Sequence, residues 1–331
     1  MTIIPKSIGR QYRGRTGQIF PDQTGPRFTG GHSRPGRPEA KSLRIVTFNV
    51  KFSRYVDRAL RLFEKSQALQ DLDILALQEM DEAGVEKIAR RLGLNYVYYP
   101  AVVHSAHGKN FGNALLSPWR ILEDQKIFLP HSGQIEKMQR IAVAATFKIG
   151  KRKLRAYSLH LGTALEILPR QRKRQVEAVL ADAERFTGLI IMVGDMNARG
   201  IGRFLERQGY FWATKSVRRT ISLFAWDHIF IRNFEGSPSG EVGVVQDNRQ
   251  ASDHKPVWMV LRLDEQKGPT IPKRRSLLPG RVLPALTLRR RKKKGSDLVS
   301  FALMRRNSIS QVFSFDQHFE TAGFEALPAI K

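Results

Sequence analysis

A carboxylate and a carboxamide follow directly after an apolar run in the stretch 189–197, which reads LIIMVGDMN. Five consecutive apolar residues predict a strand that is buried on both faces, because a strand with one solvated face would alternate. Successive side chains of an extended chain point to opposite faces, so Asp195 and Asn197 emerge on the same side. This pair suits a bound cation or a positioned water. For this stretch alone, a polar turn that closes a strand is an equally good interpretation.

The same pattern recurs at other predicted strands. An apolar strand over 43–50 ends in Asn49, and a second buried strand over 73–79 ends in Glu79. Polar groups buried in core strands are costly unless they share partners, so six such endings in one chain indicate a common function. The groups at these endings are Asn49, Glu79, His160, Asp195 with Asn197, Asp227, and Asp253 with His254.

These residue types favour metal-assisted hydrolysis of a phosphate ester. Amide and carboxylate oxygens are hard ligands and, in a chain without cysteine, they favour Mg²⁺ or Mn²⁺. Such a metal polarises a phosphoryl oxygen and stabilises the leaving oxyanion. A histidine beside a carboxylate acts as an acid or a base, or holds the phosphate as an imidazolium.

The elements that must position these groups alternate between strands and helices. Several predicted strand pairs are joined by short turns, as at 141–149 and 154–162 around a turn at 150–152, so a purely parallel sheet does not fit. Two mixed sheets packed together, with helices outside, do fit. The predicted helices cover residues 56–69, 84–92, 166–186 and 201–208.

Charge and composition divide the chain into three parts. Of 331 residues, 56 are Lys or Arg and 30 are Asp or Glu, a net charge of +26 that favours polyanionic partners. Residues 1–42 are rich in Gly, Pro and Arg, which predicts a disordered basic arm. Residues 43–264 form the expected catalytic domain, and residues 265–331 a basic, mostly disordered tail.

Targeting signals are lacking in the sequence. The N-terminus has no apolar signal segment, and no run approaches the ~18 apolar residues that a membrane span needs. We therefore expect a cytoplasmic monomer without a transmembrane segment, whose basic tails allow peripheral association with a membrane.

Taken in order, these motifs resemble the endonuclease/exonuclease/phosphatase superfamily, which has the deoxyribonuclease I-like fold. The resemblance covers roughly residues 43–263 and implies a four-layer α-β-β-α sandwich with two central mixed β-sheets. Glu79 is followed by Met80-Asp81, where abasic endonucleases carry Thr-Lys, and the chain looks most like a small bacterial-type member. The motifs that carry the resemblance are Thr-Phe-Asn49, Leu-Gln-Glu79, Gly-Asn-Ala-Leu-Leu-Ser117, Ser-Leu-His160, Gly-Asp195-Met-Asn197, Asp227-His-Ile-Phe and Ser-Asp253-His254.

The resemblance also implies roles for individual residues. Glu79 would be the principal metal ligand, helped by Asn49 and Asp253. Asp195 and Asn197 would position the attacking water, with Asp195 as general base or as ligand of a second metal. The predicted substrate contacts are His254, oriented by Asp227, together with His160, Arg140 and Asn113.

Three functions remain open from the sequence. A nuclease or phosphodiesterase acting on nucleic acid explains the basic domain and the basic tails together. A phosphatase, or a phospholipid phosphodiesterase of sphingomyelinase or phosphoinositide type that docks on an anionic membrane, is the alternative. A non-catalytic polyanion-binding protein is the third. We expect nucleic acid rather than anionic phospholipid as the partner.

Overall fold

The computed structural model describes residues 18–23, 25–33, 40–104, 107–133, 138–234, 238–263, 311–313 and 325–327. Its helices are α1 (Val56–Lys65), α2 (Glu82–Leu92), α3 (Pro169–Ala183) and α4 (Gly200–Arg207), with a 3₁₀ turn at Gln67–Leu69. The strands of the larger unit are β1 (Phe28–Gly30), β2 (Ser42–Asn49), β3 (Ile74–Met80), β4 (Asn95–Val103), β5 (Asn110–Ser117), β6 (Ile121–Phe128), β7 (Ile141–Ile149), β8 (Arg152–His160), β9 (Leu189–Asp195), β10 (Phe211–Trp212), β11 (Asp227–Arg232), β12 (Gly240–Val244) and β13 (Val257–Arg262).

Each of two mixed sheets is built around one parallel pair of strands. The seven-stranded sheet has the order β1-β4-β5-β3-β2-β13-β12, and the six-stranded sheet has the order β10-β11-β9-β8-β7-β6. The parallel pairs are β2 with β3 and β8 with β9, and antiparallel strands flank both pairs. Parallel strands need a crossover connection. Helices α1 and α3 lie within these two crossovers.

Three apolar clusters separate four layers. Between the sheets, Ile45 and Ala76 of the first sheet share a buried cluster with Val143 and Ile191 of the second. A second cluster joins the first sheet to α1 and α2, and a third joins the second sheet to α3 and α4. The predicted four-layer α-β-β-α sandwich is thereby confirmed.

Most element boundaries agree with the sequence within a few residues, and the differences have local causes. Helix α2 begins two residues earlier than predicted because Asp81 caps it, accepting the Gly84 N–H at 2.7 Å. Helix α3 begins later, at Pro169, because proline is suited to the first helical position. The sequence missed β6, an edge strand whose burial does not alternate and whose charged residues include the buried Lys126.

The expectation of a disordered arm over residues 1–42 does not hold for residues 18–23 and 25–33. Strand β1 pairs antiparallel with β4, and the Phe20 side chain is 3% exposed. The buried Lys126 ammonium donates to the carbonyls of Phe20 (3.1 Å) and Gly25 (2.6 Å), and burial lowers the pKa of Lys126 to about 8. Backbone pairing and one buried ring order a segment whose composition alone favours disorder. Residues 1–17, 24 and 34–39 of the predicted arm lie outside the described residues.

The chain divides into two compact units, Met1–Thr270 and Ile271–Lys331. The described residues of the second unit are two short parallel strands, β14 (Gln311–Phe313) and β15 (Glu325–Leu327). The remaining residues of the predicted disordered tail at 265–331 lie outside the described residues. Among the helices that the structure describes, none has the length and apolar character needed to cross a membrane.

Phe20→Ala tests whether the 18–33 segment is part of the folded domain. Loss of a buried phenylalanine side chain should destabilise the protein by about 3 kcal/mol, which lowers Tm by roughly 6–12 °C in a domain of this size. Ile19→Ala is the matched control, because Ile19 is 37% exposed. Melting temperatures equal to that of the unmodified protein for both variants in a thermal scan would show that these side chains contribute nothing to stability.

Candidate active site

The polar residues predicted at strand ends meet at one edge of the sandwich. Strands β2, β3, β8 and β9 all end at this edge, and His160 lies opposite Asp195 in the register of the parallel pair. The antiparallel strand β11 begins there, with Asp227 opposite Asp195. His254 lies three residues before β13, which runs antiparallel to β2 and so begins at the same edge. The strand directions therefore bring residues distant in sequence to one place.

Asn49 links carboxylates from the two sheets. Its Nδ2 donates to Glu79 Oε1 at 3.0 Å and to Asp195 Oδ2 at 3.3 Å, and its Oδ1 accepts the Lys51 N–H at 3.1 Å. Glu79 has a φ of 58° at a break in the β3–β5 register. Bulges of this kind redirect a side chain. Here the bulge lies at Glu79, whose side chain faces the opposite sheet.

The electrostatics of these carboxylates call for a compensating cation. Burial raises the pKa of Glu79, in spite of the Asn49 hydrogen bond. Burial, followed by the negative charge of Asp227, raises the pKa of Asp195 to about 7, although His254 opposes the shift. Two buried carboxylates joined by one amide are a poor arrangement without a positive charge nearby and a good one around a cation.

His254 lies between two carboxylates. Its Nδ1 is 2.9 Å from Asp227 Oδ2 and 3.1 Å from Oδ1, while its Nε2 is 3.6 Å from Asp195 Oδ2. Burial by itself would lower the pKa of His254, but the charges of Asp227 and Asp195 outweigh it and raise the pKa to about 10. At neutral pH this ring is therefore an imidazolium whose orientation Asp227 fixes.

Backbone geometry fixes Asp195 and Asn197. The Asn197 N–H donates to Asp195 Oδ1 at 2.9 Å, and Asn197 Nδ2 donates to the Leu161 carbonyl at 2.8 Å. Gly194 precedes them with a φ of 143°, and a Cβ there would lie 2.0 Å from the Leu159 oxygen. Only glycine lets β9 approach β8 this closely at the residue that directs Asp195 into the site.

A histidine, an arginine and a glutamate line the other side of the site. His160 Nε2 is 3.7 Å from both Glu79 Oε1 and Asp195 Oδ2, and Arg140 Nη1 lies 3.0 Å from the His160 ring nitrogens. Burial, together with the Arg140 charge, holds the pKa of His160 well below its usual range, so the ring is neutral. Both Glu166 oxygens accept from Arg140 Nη2 at 3.0 Å.

The sequence reasoning missed Glu166. Its Oε2 also accepts the Thr163 N–H at 2.7 Å. Burial would raise the pKa of Glu166, but the Arg140 charge and the Thr163 hydrogen bond hold the pKa below its ordinary value. The sequence does offer one signal for this residue: Glu166 is the only acidic residue between His160 and Glu177. It lies on a loop rather than at a strand end, so the pattern used for the other residues does not detect it.

The two remaining predicted residues differ in their placement. Asp253 lies at the solvent side of the site, where its Oδ2 accepts from Lys51 Nζ at 3.0 Å. Asn113 is not brought into the site: its Nδ2 donates to the carbonyls of Ile141 (2.9 Å) and Ser158 (3.3 Å) on the opposite sheet. The predicted substrate contact at Asn113 is corrected to a buried bridge between the sheets, because both amide protons point at backbone oxygens.

The residues at this edge fit a divalent cation. Ligand atoms of Asp195, Asp227 and His254 lie within 4.8 Å of one another, a spacing that a metal ion could occupy. Binding there would require His254 to lose its proton, which the two flanking carboxylates oppose. Glu79 and Asp195 offer carboxylate oxygens at the same edge, and their pKa values, raised by burial, indicate an unmet need for positive charge.

Residues 46–254 match the model of the Endonuclease/Exonuclease/phosphatase family. The chain belongs to this family. The matched region contains Asn49, Glu79, Asp195 and His254. No curated protein sequence matches the chain.

Solved structures share the fold at low sequence identity. D. rerio TDP2 complexed with single strand DNA product has 18% identity and a TM-score of 0.53, covering 67% of this chain and 99% of its own. Sphingomyelinase C from Streptomyces griseocarneus has 16% identity and a TM-score of 0.53, with the same coverage of 67% and 99%. A family protein from Bacteroides thetaiotaomicron has 18% identity and a TM-score of 0.52, covering 66% and 94%. At this identity the likeness shows the deoxyribonuclease I-like fold.

Asp227→Asn should lower the pKa of His254 from about 10 toward the ordinary value of 6.5, because it removes the negative charge that raises this pKa most. The shift should be partial, since Asp195 remains. An NMR titration of the metal-free protein with ¹⁵N-labelled histidine measures it. His104, whose pKa burial lowers to about 4, is the internal control. An unchanged His254 titration would contradict the proposed electrostatics of the pair.

Proposed function

We propose that this protein is a divalent-metal-dependent phosphodiesterase that cleaves nucleic acid by attack of water on phosphorus. The observation that carries the proposal is the composition of one edge, where Glu79 and Asp195 face the cationic His254 and the guanidinium of Arg140. The carboxylates suit a metal, and the cations suit the oxygens of a phosphate. Family membership, which implies phosphoester hydrolysis, supports the same chemistry.

Glu79 would hold the metal, with Asn49 and Asp253 as further oxygen ligands. The Asn49 carbonyl accepts one hydrogen bond from the Lys51 N–H and retains a second lone pair for an ion. The hard oxygen donors favour Mg²⁺ or Mn²⁺. The ion, when bound, would polarise a phosphoryl oxygen and offset the charge that develops on the leaving oxygen.

Asp195 would take the proton from the attacking water. A pKa of about 7 is close to the optimum for a general base at neutral pH. The Asn197 N–H fixes Oδ1, so Oδ2 is the oxygen that faces Asn49 and His254. The other assignment for this carboxylate is ligand of a second metal. A metal bound to Asp195 would lower the pKa of Asp195, so it would then no longer act as the base.

The phosphate would be held by cations on two sides. His254 would donate from Nε2 as an imidazolium, and Asp227 would maintain its orientation and charge. On the other side, Glu166 fixes Arg140, whose guanidinium lies against the neutral His160. Both histidines are almost fully buried, so their hydrogen bonds to a phosphate would form in a site with little water.

The charge of the domain suits a polyanionic substrate such as nucleic acid. Residues 43–264 carry 34 basic and 23 acidic residues, so basicity is not confined to the termini. Binding by phosphate neutralisation is the main sequence-independent contribution to nucleic-acid affinity. The structural neighbour with a single strand DNA product shows that this fold accommodates such a substrate in another protein.

A phospholipid phosphodiesterase is the second candidate, and one surface feature favours it. Leu223 is 74% exposed, close in sequence to Arg218 and Arg219, and Ile221 in the same loop forms a β-bridge with His254. An exposed leucine near basic residues at the rim of a site suits an anionic membrane surface. Rates on single-stranded DNA, duplex DNA, RNA and anionic phospholipid vesicles separate the two candidates.

Glu79→Gln should reduce metal-dependent phosphodiester hydrolysis at least ~100-fold while leaving Tm within a few degrees, because the ligand loses its charge but little volume. Turnover of bis(p-nitrophenyl) phosphate with Mg²⁺ or Mn²⁺, and with excess chelator, measures the effect. Glu241→Gln on the exposed face of β12 is the control and should retain full activity. Undiminished hydrolysis in chelator would exclude the assigned metal site.

Deletion of residues 271–331 should leave hydrolysis of bis(p-nitrophenyl) phosphate unchanged but weaken binding to single-stranded DNA. The segment carries 13 basic and 4 acidic residues. For a single strand, the logarithm of the binding constant falls with the logarithm of salt by about 0.7 per phosphate contact, so the slope should become shallower. A full-length chain with residues 289–294 changed to glutamine isolates the six-residue basic run. An unchanged slope in both proteins would show that the tail does not contact the substrate.

A further inference from the structure

The turn that follows β2 has an unusual backbone. Lys51, Phe52 and Ser53 are three consecutive residues with positive φ, at 40°, 58° and 53°. Residues with a Cβ rarely adopt this conformation, and it persists where surrounding contacts enforce it. The turn starts two residues after Asn49, at the edge of the candidate active site.

Contacts on both sides of Phe52 hold the turn in place. Lys51 Nζ donates to Asp253 Oδ2 at 3.0 Å, and the Ser53 hydroxyl accepts the Asp81 N–H at 2.9 Å. Phe52 lies between these two anchored residues and is half-buried. The strained backbone therefore determines where one aromatic ring lies, and the neighbours of that ring are also aromatic.

A row of rings extends from the site toward solvent. The Phe111 ring centroid is 5.9 Å from that of His160 and 5.6 Å from that of Phe52. The Phe52 centroid is 4.6 Å from His104 and 4.9 Å from His107, and His107 is exposed. We name Phe52, His104, His107 and Phe111 the ring cluster. The ring cluster begins at Phe111, beside His160 of the active site, and ends at the exposed His107.

The chemistry of the ring cluster suits a planar, uncharged aromatic group. Burial lowers the pKa of His104 to about 4, so this ring is neutral at physiological pH and packs as an aromatic surface. A quaternary ammonium group fits less well. The Arg140 guanidinium already lies 5.5 Å from the Phe111 centroid, so a further cation would compete with it for the face of that ring.

We propose that the ring cluster is a stacking subsite for the nucleobase next to the phosphate held in the active site. The proposal rests on the proposed function and narrows its substrate to single-stranded nucleic acid or unpaired ends. In a duplex the bases are stacked on one another, whereas an unpaired base presents its face to protein aromatic rings. The cluster would contribute affinity with little sequence preference, because every base has such a face.

Two ligands of equal charge isolate the stacking contribution. The first is a short oligothymidylate, and the second is an oligomer of the same length whose residues are all abasic. Both have the same phosphates, so electrostatic binding affects them alike. Fluorescence anisotropy with the full-length Glu79→Gln protein, in which cleavage is suppressed, measures binding of both.

Phe52→Leu should weaken binding of the oligothymidylate by about 5- to 100-fold and leave the abasic oligomer unchanged. Phe52→Trp should retain the preference for the oligothymidylate, since it keeps an aromatic surface. His107→Ala, at the exposed end of the cluster, should show a smaller loss in the same direction, and it tests the proposal independently if Phe52→Leu does not fold.

Several results would overturn the subsite. Equal losses for both oligomers in the Phe52→Leu and His107→Ala proteins would leave the preference for oligothymidylate unchanged. That result would indicate a purely structural role for the rings. A greater loss of binding to phosphocholine vesicles than to oligothymidylate would assign the rings to a lipid headgroup. Binding does not require turnover, so absence of phosphodiester hydrolysis would refute the proposed function without affecting this test.

Discussion

Burial of several carboxylates at one edge of two facing sheets is the constraint on which the rest of the site depends. Water is scarce there, so each negative charge must be matched by a proton or a cation. Asn49 joins Glu79 to Asp195, and burial raises the pKa of both carboxyls. His254 meets part of the demand as an imidazolium held by Asp227. The negative charge that His254 does not offset makes this edge a suitable site for a divalent cation.

The fold produces this edge through the same arrangement in both sheets. Each sheet has a central parallel pair, β2 with β3 or β8 with β9, joined by a helical crossover and flanked by antiparallel strands. Parallel strands end together, and an antiparallel neighbour begins where they end. Carboxyl and imidazole groups on strand ends and strand beginnings therefore converge, while the apolar residues behind them fill the space between the sheets. Core packing and site geometry are consequences of one topology.

The sequence predicted the parts of the fold and site that local patterns encode. Buried apolar runs marked the central strands, and their polar endings marked Asn49, Glu79, His160 and Asp195. Glu166 could not be found in this way, because its partner Arg140 is distant in sequence and only the packed fold brings them together. Composition suggested disorder at residues 1–42, but pairing with β4 and one buried ring order residues 18–23 and 25–33. Asn113 occurred in a matching motif, yet its amide is used between the sheets.

Reaction chemistry and substrate choice are determined by different parts of this molecule. The carboxylates and histidines at the strand ends suit any phosphoester, so they do not distinguish a nucleotide from a lipid headgroup. Net charge does not distinguish them either, because both are polyanionic surfaces that attract basic residues. The strained turn at Lys51–Ser53 is different, since its backbone holds an aromatic ring beside the site. Selection among phosphodiesters would then depend on the group attached to the phosphate, and next to Arg140 a planar uncharged base fits this cluster of rings better than a choline cation does.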